Sequence, residues 1–76
     1  MDGEQQLDAR GLLCPLPVLK AQKRLRALKP GDRLLVIATD PKAPGDFRNF
    51  CEAQGHRIVA MEEAEGEFRI LLEKGA

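Results

Sequence analysis

Two cysteines carry the sulfur chemistry open to this chain, and their settings differ. Cys14 opens the tetrapeptide Cys14-Pro15-Leu16-Pro17, whereas Cys51 follows Phe50 and lies one helical turn from Phe47. Proline is favoured at the first helical position, where its missing N–H has no partner to lose. The pattern after Pro17 is helical, so Cys14 is expected at or next to an N-cap. A thiol there feels the positive end of the helix dipole, and its pKa is expected below the free value of about 8.5. Pro15 and Pro17 each remove an N–H, leaving Leu16 and Val18 as the main donors. The expected lowering is therefore moderate, which keeps the sulfur a good nucleophile. The competing reading is a small buried hydrophobe. Cys14 lies outside the apolar stripe of the helix and at an element boundary, which favours reactivity. Cys51 sits on an apolar stripe and is expected to be buried and inert.

Few other side chains near these positions suggest chemistry. Arg10, four residues before Cys14, could raise the local positive potential and favour the thiolate. It could equally be an ordinary surface charge. Lys20, Lys23 and Arg24 make one face of the helix basic, a surface suited to docking an acidic partner; a solvated helix face is the alternative. Asp40 and Asp46 bracket a loop after an apolar run, where open α/β sheets gather functional groups, but each reads better as a helix cap. His56 follows Gly55 and reads as the start of a strand. One histidine and two cysteines do not complete a zinc site without acidic help.

The elements that must position these groups follow from periodicity. Gln5–Asp8 reads as a short strand with Leu7 facing inward. From Pro15 to Leu28, Val18, Ala21, Leu25 and Leu28 recur at intervals of three and four, a helical stripe that Pro30-Gly31 ends. Leu34–Ala38 is a continuous apolar run, suited to a central strand buried on both faces. Residues 40–46 form a loop into a second helix with Phe47, Phe50, Cys51 and Gln54 as its inner stripe, and Gly55 fits the position just past its end. His56–Glu62 and Glu67–Glu73 read as strands joined by a turn over Ala64-Glu65-Gly66. Gly11 is expected to supply a backbone conformation that other residues disfavour. The order β-α-β-α-β-β, with two helices able to cover one sheet face, predicts a two-layer α/β (α+β) sandwich with a four-stranded mixed sheet.

Composition sets the outer bounds. The 76 residues amount to a single domain, residues 1–76, with 43% apolar residues, three Phe and no Trp or Tyr. Lys+Arg and Asp+Glu are both 12, so net charge argues against direct nucleic-acid binding. Two cysteines are fewer than a small secreted scaffold carries, and neither belongs to a C-x-x-C pair. No apolar run approaches a membrane span, and the acidic Met1-Asp2-Gly3-Glu4 has no signal-peptide character. A reducing cytoplasm is the expected compartment.

The stretch Leu7-Asp8-Ala9-Arg10-Gly11-Leu12-Leu13-Cys14-Pro15-Leu16-Pro17 resembles the signature of the TusA/SirA-like family of small sulfur-carrier proteins. The likeness continues through Pro30-Gly31-Asp32, Thr39-Asp40-Pro41 and Phe50-Cys51-Glu52-Ala53-Gln54-Gly55-His56, almost the whole chain. It implies the same β-α-β-α-β-β sandwich. It also implies that Cys14 accepts a sulfane sulfur as a persulfide and passes it to an acceptor protein's cysteine. The implied donors are a cysteine desulfurase or a rhodanese-like protein. DsrE-type relay proteins are implied acceptors, in tRNA thiolation, sulfur oxidation or molybdenum-cofactor synthesis. No metal or organic cofactor is implied, and the carrier is expected to act as a monomer. Leu16 stands where many members carry a polar or charged residue, and Gly45 where the tRNA-thiolation carriers tend to have a basic one. Both departures bear on the partner more than on the chemistry.

Two rival functions fit part of the chain. The sandwich also resembles the C-terminal domain of a translation initiation factor, so a regulatory or RNA-binding module could use the basic helix; the lack of Tyr and Trp removes the favoured stacking residues. A thiol redox sensor would oxidise Cys14 to a sulfenic acid, but no resolving cysteine lies near it in sequence.

Overall fold

The computed structural model describes residues 4–76, so the reading of the first three residues lies outside the described part. The elements are β1 (Glu4–Ala9), α1 (Leu16–Arg26), β2 (Arg33–Ala38), α2 (Ala43–Gln54), β3 (Arg57–Ala64) and β4 (Glu67–Glu73). The sheet order is β1-β2-β4-β3. β1 runs parallel to β2, β2 antiparallel to β4, and β3 antiparallel to β4. The mixed four-stranded sheet expected from the sequence is therefore present, with β1 and β2 joined through α1.

One core lies between the helices and one sheet face. Ala21 and Leu25 of α1, Phe47 and Cys51 of α2, and Leu7, Ala9, Leu34, Val36, Ala38, Ile70 and Leu72 of the sheet form a single buried cluster. Phe47 is fully enclosed, and burying a side chain of its size stabilises the fold by about 1.5–3 kcal/mol. β2 is central and almost wholly buried; even Ile37, outside that cluster, is covered.

The elements differ from expectation in several details. Helix α1 begins at Leu16 and ends at Arg26, shorter at both ends than Pro15–Leu28. Pro15 takes the N-cap position. At the other end the N–H groups of Ala27 and Leu28 donate to Arg24 and Leu25, a tightened last turn that keeps Leu28 on the buried stripe. In α2, Gln54 is exposed, and Ala43, Phe47 and Cys51 form the inner face. The mixed alternation after His56 has a cause: β3 carries a register shift between Ile58 and Ala60. The extra residue changes the strand's phase, so Ile58 and Met61 both pair with buried β4 residues, Leu72 and Ile70. The β3–β4 turn places Glu65 and Gly66 at positive φ, as a two-residue hairpin requires.

Candidate sulfur site

The loop between β1 and α1 comes off the C-terminal end of β1, beside the end of β2. Gly11 has φ +79° and turns the chain, and the N–H of Leu12 donates back to the Ala9 carbonyl. Two residues just past β2 hold this loop. The N–H of Gly11 donates to Thr39 Oγ1 at 2.9 Å, and the N–H of Cys14 donates to Asp40 Oδ2 at 2.7 Å. Asp40 is only 8% exposed, and its other carboxylate oxygen, Oδ1, accepts the N–H of Lys42 at 3.0 Å. Its backbone carbonyl accepts the N–H of Ala43. Asp40 thus joins the Cys14 loop to the start of α2. Formal capping of α2 falls to Lys42, which makes no side-chain cap bond, and Asp46 lies in the first helical turn. Neither aspartate is the simple N-cap that the sequence suggested.

Cys14 is an exposed free thiol, and Cys51 is a free thiol buried in the core, so the two are not bridged. Burial pushes the Cys51 thiol up to about 11, which fits its expected inertness.

The expected lowering of the Cys14 pKa is reversed. Asp46 does most to push the thiol's pKa up; partial desolvation and the charges of Asp46 and Asp40 add to this, and Lys42 opposes it. The helix dipole offers little help. Cys14 stands one residue before the N-cap, Pro15 and Pro17 have no N–H, and the N–H of Leu16 is spent on the Leu13 carbonyl at 2.8 Å. Leu16 is therefore not the donor to sulfur that its position promised. The Cys14–Pro15 peptide is cis.

Arg10 does not serve the thiol either. Its guanidinium grips Asp8 with Nε at 2.9 Å and Nη2 at 3.0 Å, and Nη1 reaches Glu67 on β4 at 3.5 Å. That pairing holds the Asp8 carboxyl down at about 2. The cation that acts on Cys14 is Lys42, in a loop where only the aspartates had drawn attention. His56 lies just before β3; its Nδ1 accepts the N–H of Gly75, so it is a structural residue and not a base for this site.

The basic face of α1 is where the sequence placed it. Lys20, Lys23 and Arg24 are exposed and line a groove of about 370 Å³ with Leu7 and Ala27. Arg24 also donates to the Gln6 carbonyl on the outer edge of β1. Sequence reasoning missed an apolar patch around the cysteine. Leu13 is 69% exposed, Leu16 45% and Leu19 50%. Leu16 and Leu19 are three apart on α1 and outside its buried stripe, a spacing that could have revealed them. Among the described residues no group of three or more His, Cys, Asp or Glu is placed to hold a metal ion.

Comparison with known proteins bears on this geometry. The family described as Sulfurtransferase TusA matches residues 5–74. Sulfur carrier protein TusA of Allochromatium vinosum is 45% identical over 73 residues, covering 96% of each chain. The crystal structure of a SirA-like protein from Desulfitobacterium hafniense superposes with a TM-score of 0.82 at 25% identity, covering 95% of this chain and 99% of that one.

Proposed function

This chain belongs to the TusA sulfurtransferase family, and from that premise we propose that it carries sulfane sulfur as a persulfide on Cys14 between two protein cysteines. The observation that carries this reading is the contrast between the two thiols: Cys14 is exposed on a tethered loop, and Cys51 is enclosed. In the loading step, the Cys14 sulfur attacks the terminal sulfur of a donor persulfide. A sulfur–sulfur bond forms to Cys14, the donor's own sulfur–sulfur bond breaks, and the donor cysteine leaves as a thiolate. The proton of the Cys14 thiol, which Asp46 already faces, passes to that leaving thiolate. In the unloading step, an acceptor thiolate attacks the outer sulfur of the Cys14 persulfide and releases Cys14. Sulfur changes owner without net oxidation, so the reaction needs no metal or organic cofactor.

Docking falls to the surface around the cysteine. Leu13, Leu16 and Leu19 supply an apolar centre, and Lys20 and Lys23 a cationic border. That combination suits a partner with an apolar cleft and an acidic rim. A cysteine desulfurase or rhodanese-like donor and a DsrE-type acceptor fit this role, in a cytoplasmic relay serving tRNA thiolation, sulfur oxidation or molybdenum-cofactor synthesis, with the carrier acting as a monomer.

The test is mass spectrometry of the protein after incubation with a cysteine desulfurase and cysteine. The wild type and Cys51→Ser gain one sulfur, about 32 Da, and Cys14→Ser gains none. Equal loading of both variants would sink the assignment.

A further inference from the structure

We propose that Asp40 is the positioning residue of the sulfur site, fixing where Cys14 stands by holding the N–H of Cys14 itself; this rests on the carrier function assigned to Cys14. The contact spans 26 residues of sequence, so it is no local turn. Asp40 is the sole buried charged side chain among the described residues, and both of its carboxylate oxygens are occupied by backbone N–H groups, from Cys14 at 2.7 Å and from Lys42 at 3.0 Å. A buried carboxylate is costly unless hydrogen-bonded, and bonds of N–H to a charged oxygen are among the stronger ones. Two acceptor oxygens are needed here. Asparagine offers one acceptor oxygen, and its NH₂ would face a second N–H. The neighbouring Thr39 repeats the arrangement at neutral charge, taking the N–H of Gly11 at 2.9 Å. The end of β2 is therefore a platform on which the cysteine loop is pinned at two points.

The pin has an electrostatic consequence. Asp46 from α2 does most to raise the thiol's pKa, the negative charge of Asp40 adds to it, and Lys42 from the intervening loop opposes both. The site gives up ionisation of the resting thiol in exchange for a defined sulfur position. A small reagent, which needs the thiolate and no defined approach, and a protein donor, which needs the sulfur in one place, should respond to loss of Asp40 in opposite directions. An Asp40 that merely stabilised the fold would not separate the two.

The experiment compares wild type, Asp40→Asn, Thr39→Val and Thr39→Ser. Three quantities are read: the pH profile of Cys14 alkylation by iodoacetamide, the rate of persulfide loading from a cysteine desulfurase with cysteine, and hydrogen exchange at the Cys14 amide. In Asp40→Asn the alkylation midpoint moves to lower pH, the Cys14 amide loses protection, and loading slows, by up to about a hundredfold if the reacting atom is misplaced by about 1 Å. In Thr39→Val the midpoint stays in place while loading slows, and Thr39→Ser restores it. Loading of Asp40→Asn at the wild-type rate, or an unprotected Cys14 amide in the wild type, overturns the proposal. If Asp40→Asn does not fold, Thr39→Val and the wild-type amide decide the matter alone, and unslowed loading in Thr39→Val overturns it. Failure of the wild type to load at Cys14 would instead overturn the carrier function, and the amide exchange and alkylation profile would still report on Asp40.

Discussion

At the residue scale, the site is governed by which charges face one sulfur atom. Two carboxylates, Asp46 foremost and Asp40 after it, raise the proton affinity of Cys14, and Lys42 opposes them. A protonated resting thiol is slow to react with stray electrophiles and oxidants, which disfavours a redox-sensor role. Asp46 is the first contributor to this effect. Replacing it with asparagine should lower the Cys14 pKa and speed iodoacetamide alkylation at pH 7 severalfold, because the thiolate fraction there grows as the midpoint falls. An alkylation profile in Asp46→Asn that matches the wild type would show that Asp46 does not control the thiol. Cys-Pro-Leu-Pro pointed to Cys14 as the candidate sulfur but not to its proton affinity, because the groups that set it come from residues 40–46, brought near only by the fold. Arg10 misled for a local reason: Asp8, two residues before it, takes its guanidinium at 2.9 and 3.0 Å.

At the scale of elements, α1 has two working faces. Ala21, Leu25 and Leu28 bury themselves against the sheet, while Leu16 and Leu19 stay in solvent beside the cysteine. Exposed leucines contribute little to folding, so their removal separates docking from stability. The double variant Leu16→Ala, Leu19→Ala should keep its melting temperature within a few degrees. It should raise the donor concentration needed for half-maximal loading about tenfold, a typical loss when apolar interface contacts are truncated. A matched fall in stability and loading would instead place these leucines in the core. The buried helical stripes were legible as apolar positions three and four apart, and β2 as an uninterrupted apolar run. The ends of α1 were less legible. Proline signals a helix start without settling whether it occupies the cap or the first turn, and the closing turn of α1 preserves the periodicity through Leu28 after regular helix has ended. The phase of β3 could not be read because its register shift between Ile58 and Ala60 breaks a period of two.

At the scale of the whole molecule, the core holds a second, enclosed sulfur that links stability to pH. The Cys51 pKa is raised to about 11 in the folded protein, above the unfolded value of about 8.5. Its contribution is complete below the unfolded value and is lost as pH rises through the folded one. Denaturant titrations should therefore show stability falling between about pH 8.5 and 11 by roughly 3 kcal/mol. The loss should shrink in Cys51→Ala, and an alkaline limb unchanged in that variant would assign it to other groups. The acid side runs in the opposite sense. Asp40 has its pKa lowered, first by the Lys42 N–H and then by that of Cys14, so its stabilisation is present above the unfolded carboxylate range and lost as pH falls through the folded value. The β-α-β-α-β-β order was readable from the chain because each element announces itself locally. What joins the sulfur loop to the rest, Thr39 and Asp40 reaching across to Gly11 and Cys14, is visible only once β1 and β2 lie side by side. The most direct measurement follows radiolabelled sulfur from cysteine, through a desulfurase, onto this protein, with peptide mapping of the label. Label on the peptide holding Cys14, released to an added acceptor thiol, is the outcome expected. Label on the peptide holding Cys51, or none on the protein, contradicts the account.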